Sequence, residues 1–169
     1  PTGTRFCAVV KANAYGHGGI PCAKTALENG ASFLALVRIS EAVAMRDAGI
    51  TAPILLLGET LPEQVSFLAT HGIRASVADI QTARALSAAA QALNTTLKIH
   101  IKLDTGMGRL GFLHPDVVIK ESGQAAGIGQ AREIAGLKGL EVEGTYTHFA
   151  KADMIDKTHV KGQLARFTD

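Results

Sequence analysis

Residues 33–57 read FLALVRISEAVAMRDAGITAPILLL, and this stretch decides the fold class. It opens with an apolar run, continues through a helix-like segment at residues 41–48, and closes with a second apolar run after Gly49. Ser40 is a suitable N-cap for the helix, and Gly49 supplies the left-handed backbone conformation that many helix ends need. Uninterrupted apolar runs joined by a helix are typical of a parallel β-sheet that is buried on both faces.

The same alternation extends along the chain in both directions. Runs typical of strands occur at residues 6–10, 33–37, 54–57, 73–77, 97–103 and 142–147. Helix-like segments occur at residues 21–29, 41–48, 62–71, 80–93 and 130–135. Gly30 and Gly72 also follow helix-like segments, and Asp79 is a suitable N-cap. The stretch at residues 123–129 contains three glycines, which weaken any helix there.

About six βα units fit two architectures, a (β/α)8 TIM barrel and a doubly wound open sheet. The open sheet often carries a G-x-G-x-x-G dinucleotide fingerprint after its first strand, and His17-Gly18-Gly19 lacks that spacing. We therefore predict an α/β fold, a partial (β/α)8 TIM barrel of about six βα units, truncated within residues 1–169. A complete barrel takes about 250 residues, so we expect two strands to lie at open edges.

The composition is that of an ordinary globular domain, with 47% hydrophobic and 19% charged residues and a net charge of +2. This small charge gives no reason to expect a nucleic-acid partner, and no apolar run approaches the length of a membrane span. Cys7 and Cys22 form no C-x-x-C pair. We expect both cysteines to be reduced and mostly buried, without a metal, in a cytoplasmic protein.

Polar residues interrupt the apolar pattern where the runs end. Lys11 directly follows the first run, Lys102 and Asp104 end the fifth, Arg109 comes shortly afterwards, and His148 follows the last. The carboxyl ends of barrel strands share one face, and that face carries the active site in TIM barrels. We therefore expect these side chains to lie together at one functional site.

Strand parity refines this prediction for the run at residues 97–103. Lys98, His100 and Lys102 share one face of the strand, while the intervening apolar residues share the other. The apolar set should pack against the helices and the polar set should point toward the barrel axis. We interpret Lys98 as a solvated lysine at the rim. Lys102 lies close to Asp104 and Arg109, which favours a functional role.

Lys11 is followed by a loop of small residues, Ala12-Asn13-Ala14-Tyr15-Gly16-His17-Gly18. Burial and nearby cations lower the pKa of a lysine, and a neutral amine can react with a carbonyl group. Gly-rich loops at helix starts can hold a phosphate, and Tyr15 adds a hydroxyl group. The residues alone leave two interpretations open, a strand-terminating lysine at the rim or a site for a phosphate-bearing ligand.

The histidines carry less information. His148 lies at the end of a strand, and the pattern leaves both a structural and a catalytic role open. Three others fall in helical or loop stretches and are expected at the surface: His71, His114 and His159.

Three motifs resemble those of one enzyme family. Residues 8–18, AVVKANAYGHG, resemble the pyridoxal 5′-phosphate (PLP) attachment motif of alanine racemases. Residues 100–112, HIKLDTGMGRLGF, resemble a second signature of that family, and residues 146–150, YTHFA, resemble a third. The motifs occur in the family's order and cover most of the chain, which is therefore identified as the N-terminal part of the family's PLP-binding barrel.

The resemblance implies a role for each matching residue. Lys11 would bind PLP covalently and act as one of two catalytic bases, on the Cα proton of the D-enantiomer. Tyr15 would hydrogen-bond the PLP phosphate. Lys102 would be carbamylated and would orient Arg109, which would contact the phenolic oxygen of PLP and the substrate carboxylate. His148 would join the hydrogen-bond network beneath the cofactor.

The resemblance also implies an activity, the interconversion of L-alanine and D-alanine by a two-base mechanism that supplies D-alanine for peptidoglycan. The substrate is a small amino acid, and the family is usually a homodimer. Its second base is a tyrosine of the partner's C-terminal β-domain, and Tyr15 and Tyr146, the two tyrosines here, do not match it. Later barrel strands and that domain have no counterpart in residues 1–169, so we expect the chain alone to lack normal racemase activity.

Three other interpretations stay open. A serine or broad-specificity racemase would use the same motifs, and a non-catalytic PLP-binding barrel protein would lack the second base. A folded fragment that binds no ligand is the third.

Overall fold

The computed structural model describes residues 3–117 and 127–169, apart from the side chain of Ile128. Its strands are β1 (Phe6–Val9), β2 (Ala31–Leu36), β3 (Ile54–Leu56), β4 (Ile73–Val77), β5 (Leu97–Asp104), β6 (Phe112–Leu113) and β7 (Leu140–Tyr146). Its helical segments are α1 (Lys11–Tyr15), α2 (Gly19–Glu28), α3 (Ile39–Asp47), a 3-10 turn (Pro62–Gln64), α4 (Val65–Thr70), α5 (Ile80–Ala92), α6 (Ile128–Ile134) and α7 (Thr158–Thr168). Most of the glycine-rich stretch at residues 123–129 lies outside the described residues.

The strands form one parallel sheet in the order β1-β2-β3-β4-β5, and β7 pairs with the other edge of β5. The short β6 pairs with the carboxyl end of β5 at Leu103 and Asp104. The sheet curves into a half-barrel with β1 and β7 at its two edges, which confirms the predicted partial TIM barrel. β6 and α7 were not predicted, because a two-residue strand and a mixed polar helix give weak sequence patterns.

The core lies between the sheet and the helices that pack on its convex face. In β5, Leu97, Ile99 and Ile101 are buried among helix side chains such as Leu86 of α5. Each of these aliphatic side chains contributes about 1.5–3 kcal/mol on burial. The alternate residues of β5 face the concave side, as strand parity predicted. The apolar face therefore fixes β5 so that its polar residues line the inside of the half-barrel.

The helix ends largely follow the predicted signals. Gly30, Gly49 and Gly72 each have a positive φ directly after a helix, which confirms their expected conformation. Asp79 caps α5 by accepting a hydrogen bond of 2.8 Å from the backbone N–H of Thr82, again as predicted.

The prediction for Ser40 was wrong, because α3 begins two residues earlier than predicted, at Ile39, and its N-cap is Arg38. The physical reason is the carboxylate of Glu41, which accepts the Arg38 N–H at 2.9 Å and stabilises the earlier start.

The prediction that both cysteines are mostly buried was also wrong. Cys7 is exposed and Cys22 is half-buried, and both are free thiols. Cys7 is exposed because β1 is an edge strand whose concave side is open.

The expected surface position of three histidines was wrong for His114, which is 5% exposed. His114 directly follows β6, the strand that the sequence did not indicate, and its backbone N–H donates to Asp104 O at 3.0 Å. His71 and His159 are half-buried rather than fully exposed.

No helix within residues 3–117 and 127–169 combines the length and apolarity required to cross a membrane.

Candidate active site

A cavity of about 740 Å³ runs along the concave face of the half-barrel. Its mouth lies at the carboxyl ends of the strands. The predicted cofactor and substrate residues all line this cavity: Lys11, Tyr15, Lys102, Arg109 and His148. The clustering expected from the strand ends is therefore present for Lys11, Lys102, Arg109 and His148, while Asp104 does not line the cavity.

The chain turns sharply after Lys11. Residues 12–15 have φ values between 51° and 55°, so α1 is a left-handed helical turn. L-residues disfavour this conformation by about 1–2 kcal/mol each, and the surroundings must compensate. Asn13 Oδ1 accepts the Gly19 N–H at 2.7 Å, and a carboxylate oxygen of Glu41 accepts the Ala12 N–H. These bonds join the turn to α2 and α3 and hold Lys11 and Tyr15 at the mouth of the cavity.

Asp104 organises the loop that carries Arg109. Its carboxylate accepts backbone N–H groups from four consecutive residues at 2.9–3.1 Å: Gly106, Met107, Gly108 and Arg109. Asp104 is 4% exposed and does not line the cavity. Its role is to shape the loop, and the signal for this role was an Asp followed by a glycine-rich stretch.

The mouth of the cavity concentrates positive charge. Lys102 is 7% exposed. Burial lowers the pKa of Lys102, the charges of Arg109 and Lys11 lower it further, and Asp104 opposes them. The pKa of His148 is also lowered, first by burial and then by the charges of Arg109, Lys102 and Lys11. Because these basic groups lower one another's pKa, the neutral forms of Lys102 and His148 are favoured. The same positive charge favours an anionic ligand at the mouth.

Tyr146 lines the cavity next to Lys102, its register partner on β5. Lys102 Nζ lies 5.7 Å from the centroid of the Tyr146 ring. The Tyr146 hydroxyl donates to Ser76 Oγ at 2.9 Å, and burial raises the pKa of the tyrosine. Tyr146 is therefore a neutral hydrogen-bonded residue, and it shapes the wall behind Lys102.

Gln163 on α7 is fully buried and was missed by the sequence analysis. Its amide nitrogen donates to Thr105 Oγ1 at 3.3 Å and to His148 O at 2.9 Å. Its amide oxygen accepts the Ala150 N–H at 2.9 Å. One side chain thus fastens the loop after β5 to the loop after β7. Only the fold reveals this role, because nothing local distinguishes Gln163 from a solvated helix residue.

The opposite end of the cavity is held by an ionic cluster around Glu143. Arg74 donates to both carboxylate oxygens of Glu143 at 2.8 Å, and His100 Nε2 lies 3.0 Å from Oε2. The hydrogen bonds from Arg74, followed by that from His100, lower the pKa of Glu143 to about 2 despite its burial. Lys98 Nζ lies 3.4 Å from Glu141 and is partly solvated, as predicted for a rim lysine. This cluster joins β4, β5 and β7.

Comparisons with known proteins agree with this geometry. The chain matches the family described as "Alanine racemase, N-terminal domain" over residues 1–169. The alanine racemase of Methanococcus maripaludis is 44% identical over 165 residues, which cover 98% of this chain and 42% of that protein. The chain therefore spans less than half the length of this curated relative.

Solved structures show the same likeness. Clostridium difficile alanine racemase in complex with cycloserine superposes with a TM-score of 0.86 at 31% identity, over 99% of this chain and 44% of that one. A histidine racemase from Leuconostoc mesenteroides has a TM-score of 0.84 at 27% identity, over 97% of this chain and 42% of that one. With a family match along the entire chain and a shared half-barrel, the chain belongs to the alanine racemase N-terminal domain family.

Proposed function

We propose that this chain is the cofactor-binding part of a PLP-dependent alanine racemase, which interconverts L-alanine and D-alanine by a two-base mechanism and supplies D-alanine for peptidoglycan. The observation that carries the proposal is the shared cavity of Lys11, Tyr15, Lys102, Arg109 and His148. The relatives named alanine racemase support the same reaction. A cytoplasmic location and a homodimeric parent protein stay predictions.

The residues present fit an anionic aldehyde cofactor. The cavity volume lies within the range of about 300–1,000 Å³ that is usual for small-molecule sites. Lys11 supplies a primary amine, while Arg109 adds positive charge at the mouth. When bound, PLP supplies an electron sink that stabilises negative charge at the substrate Cα.

The chain's own groups would orient and protonate the substrate. Lys11 binds the cofactor through Nζ and moves a proton at Cα of the D-enantiomer. Arg109 orients the substrate carboxylate and the phenolic oxygen of the cofactor, and Tyr15 hydrogen-bonds the phosphate. His148 stays neutral in the network below, because burial and the neighbouring cations lower its pKa.

Lys102 is proposed to carry a carbamate. Its lowered pKa increases the fraction of neutral amine, and this amine can attack CO2. An N–C bond forms as one C–O π bond of CO2 opens, and the nitrogen loses one proton, so that a neutral amine becomes an anionic carbamate beside Arg109. The new charge would orient the guanidinium group. Intact-mass measurement should show the mass of one CO2, lost on acidification and absent from Lys102→Met.

The second base comes from another segment or subunit. Racemisation removes a proton from one face of Cα and returns one to the other, so a second proton-transfer group is required. Tyr146 is unsuitable, because its hydroxyl donates to Ser76 and burial raises its pKa. We therefore propose that the complete active site includes a base from outside residues 1–169.

The decisive experiment locates the amine that binds the cofactor. The purified protein is mixed with PLP, reduced with borohydride and mapped by peptide mass spectrometry. The label should fall on the peptide that contains Lys11, and Lys11→Met should abolish it. Lys24→Met is the matched control, because Lys24 is an exposed lysine of α2, and it should leave labelling unchanged. No label, or label spread over exposed lysines, would contradict the proposal.

A racemase for another amino acid is the second candidate, supported by the similarity to the histidine racemase of Leuconostoc mesenteroides. Hydrogen exchange at Cα in D2O separates the two. The protein with PLP is incubated with D-alanine, D-serine or D-histidine, and Cα deuteration is followed by NMR. The fastest Lys11-dependent exchange should be that of D-alanine, whereas faster exchange of D-histidine would favour the second candidate.

A further inference from the structure

We propose that Glu41 is a positioning residue that sets the direction of the Lys11 side chain from behind the cavity wall. This inference deepens the proposed function and rests on it. Glu41 does not line the cavity, and it acts through the backbone.

The carboxylate of Glu41 connects two neighbouring strand ends. Oε1 accepts the N–H of Ala12, the residue after Lys11. Oε2 accepts the N–H of Val37 at 3.0 Å and the N–H of Arg38 at 2.9 Å, both of which follow β2. One side chain on α3 thus ties the exit of β1 to the exit of β2. Strand pairing stops just before it, at the hydrogen bond of 3.0 Å from the Val10 N–H to Ala35 O, and Glu41 extends the connection to the residue after Lys11.

The bond to Ala12 acts directly on Lys11. The peptide unit between Lys11 and Ala12 is planar, so anchoring its N–H fixes the rotation of the Lys11 backbone on its carbonyl side. The left-handed turn begins at the next residue, where Ala12 has a φ of 51°. L-residues disfavour this conformation, and an ionised acceptor offsets the strain better than a neutral one.

Glu41 is ionised whenever the enzyme is expected to work. Burial alone raises the pKa of Glu41, but the N–H groups of Arg38, Val37 and Ala12 outweigh it, and the resulting pKa lies below the ordinary value. The strength of the Ala12 bond should therefore not vary across the neutral pH range. The carboxylate serves as a fixed anchor and is not proposed to exchange protons with a substrate.

The test compares Glu41→Gln with Asp79→Asn in the purified protein. Both variants replace a carboxylate at a helix start: Glu41 accepts three backbone N–H groups, and Asp79 accepts one backbone N–H and one hydroxyl, both from Thr82. Asp79 lies away from the cavity and serves as the structural control. The measured quantities are the PLP dissociation constant, the pH midpoint of the visible absorbance of bound PLP, and the melting temperature.

Glu41→Gln should weaken PLP binding about 10-fold, because one charged acceptor is lost and an amide N–H2 meets a backbone donor. Its absorbance midpoint should shift, since the geometry at Lys11 Nζ changes. Asp79→Asn should lower the melting temperature, as Glu41→Gln should, but it should leave the PLP dissociation constant and the absorbance midpoint unchanged. A Glu41→Gln protein with the wild-type affinity and midpoint would overturn the proposal.

Glu41→Asp covers the case in which Glu41→Gln does not fold. Aspartate keeps the charge and can cap its own helix, but it is one methylene too short to reach Ala12 as well. It should fold and still bind PLP more weakly, and wild-type binding by Glu41→Asp would also overturn the proposal. If the wild-type protein does not label at Lys11, the proposed function and this inference fail together. If the wild-type protein labels at Lys11 and both Glu41 variants keep its PLP affinity and absorbance midpoint, only the inference fails.

Discussion

Glu143→Gln should destabilise the half-barrel through the cluster that joins β4, β5 and β7. Glu143 receives two hydrogen bonds of 2.8 Å from Arg74, whose side chain is 13% exposed, and it contacts His100 at 3.0 Å. The variant removes the negative charge, so the Arg74 cation loses its ionic partner at a position with little access to solvent. Removing one partner of this partly exposed pair is costly because the Arg74 charge loses its compensating partner, and solvent access to Glu143 limits the cost.

The magnitude follows from the Glu143 pKa, which lies at about 2 instead of 4.5. At 1.36 kcal/mol per pKa unit, this lowering corresponds to at most about 3.4 kcal/mol. The Glu143 side chain is 26% exposed, and solvent screening therefore reduces the expected loss in the free energy of unfolding. We expect a loss of about 2 kcal/mol at pH 7.

The pH dependence has a defined sign. A carboxyl group with a lowered pKa in the folded state contributes stability above its unfolded pKa and loses this contribution on acidification. The difference between wild type and Glu143→Gln should therefore be full above pH 4.5 and should narrow as the pH falls toward 2. Urea titrations followed by circular dichroism at several pH values measure this difference.

Glu133→Gln is the matched control, because Glu133 pairs with Arg84 at 2.7 Å but both side chains are about half exposed, at 44% and 52%. An exposed pair of this kind contributes about 0–1 kcal/mol. The reasoning fails if the two variants lose the same stability at pH 7. It also fails if the loss in Glu143→Gln persists unchanged near pH 2.

Three more substitutions test the loops and the mouth of the cavity. Gln163→Leu should lower the free energy of unfolding by about 2–3 kcal/mol in urea, because it leaves buried polar partners unpaired. Gly111→Ala should be more destabilising than Gly108→Ala in the same assay, since a Cβ at Gly111 would lie 2.8 Å from a backbone nitrogen while Gly108 faces open space. In CO2-free buffer, where Lys102 bears no carbamate, Lys102→Met should raise the melting temperature at pH 7 and Lys98→Met should not. Because the fold lowers the Lys102 pKa, the gain should shrink as the pH rises toward 10.5.

The sequence predicted the half-barrel and the composition of its mouth because both follow from local patterns. Helix-like segments that end just before Gly30, Gly49 or Gly72, with an apolar run soon after, mark helix and strand boundaries within a few residues. Parallel strands then bring their carboxyl ends together, so Lys11 and Lys102 could be assigned to one cavity without coordinates.

The remaining features depend on residues that are distant in sequence. The left-handed turn after Lys11 is stabilised by Glu41, which is 29 residues from Ala12. Gln163 acquires its role only because α7 packs across Thr105, 58 residues away. Helical or loop propensities describe each of these segments alone and contain no information about such partners.

The two ends of the cavity differ in how their charges are compensated, and this difference separates the functional end from the structural one. At the end opposite the mouth, Arg74 and His100 are paired with Glu143, so the charge of this cluster is compensated without a ligand. At the mouth, the carboxylate of Asp104 is already hydrogen-bonded to backbone N–H groups. The neighbouring charges of Arg109 and Lys11 lower the pKa of Lys102. The positive charge that is uncompensated at the mouth destabilises the fold, and a bound anion would offset this destabilisation. We therefore expect a phosphate or a carboxylate to bind at the mouth, which is also the end where Lys11 lies.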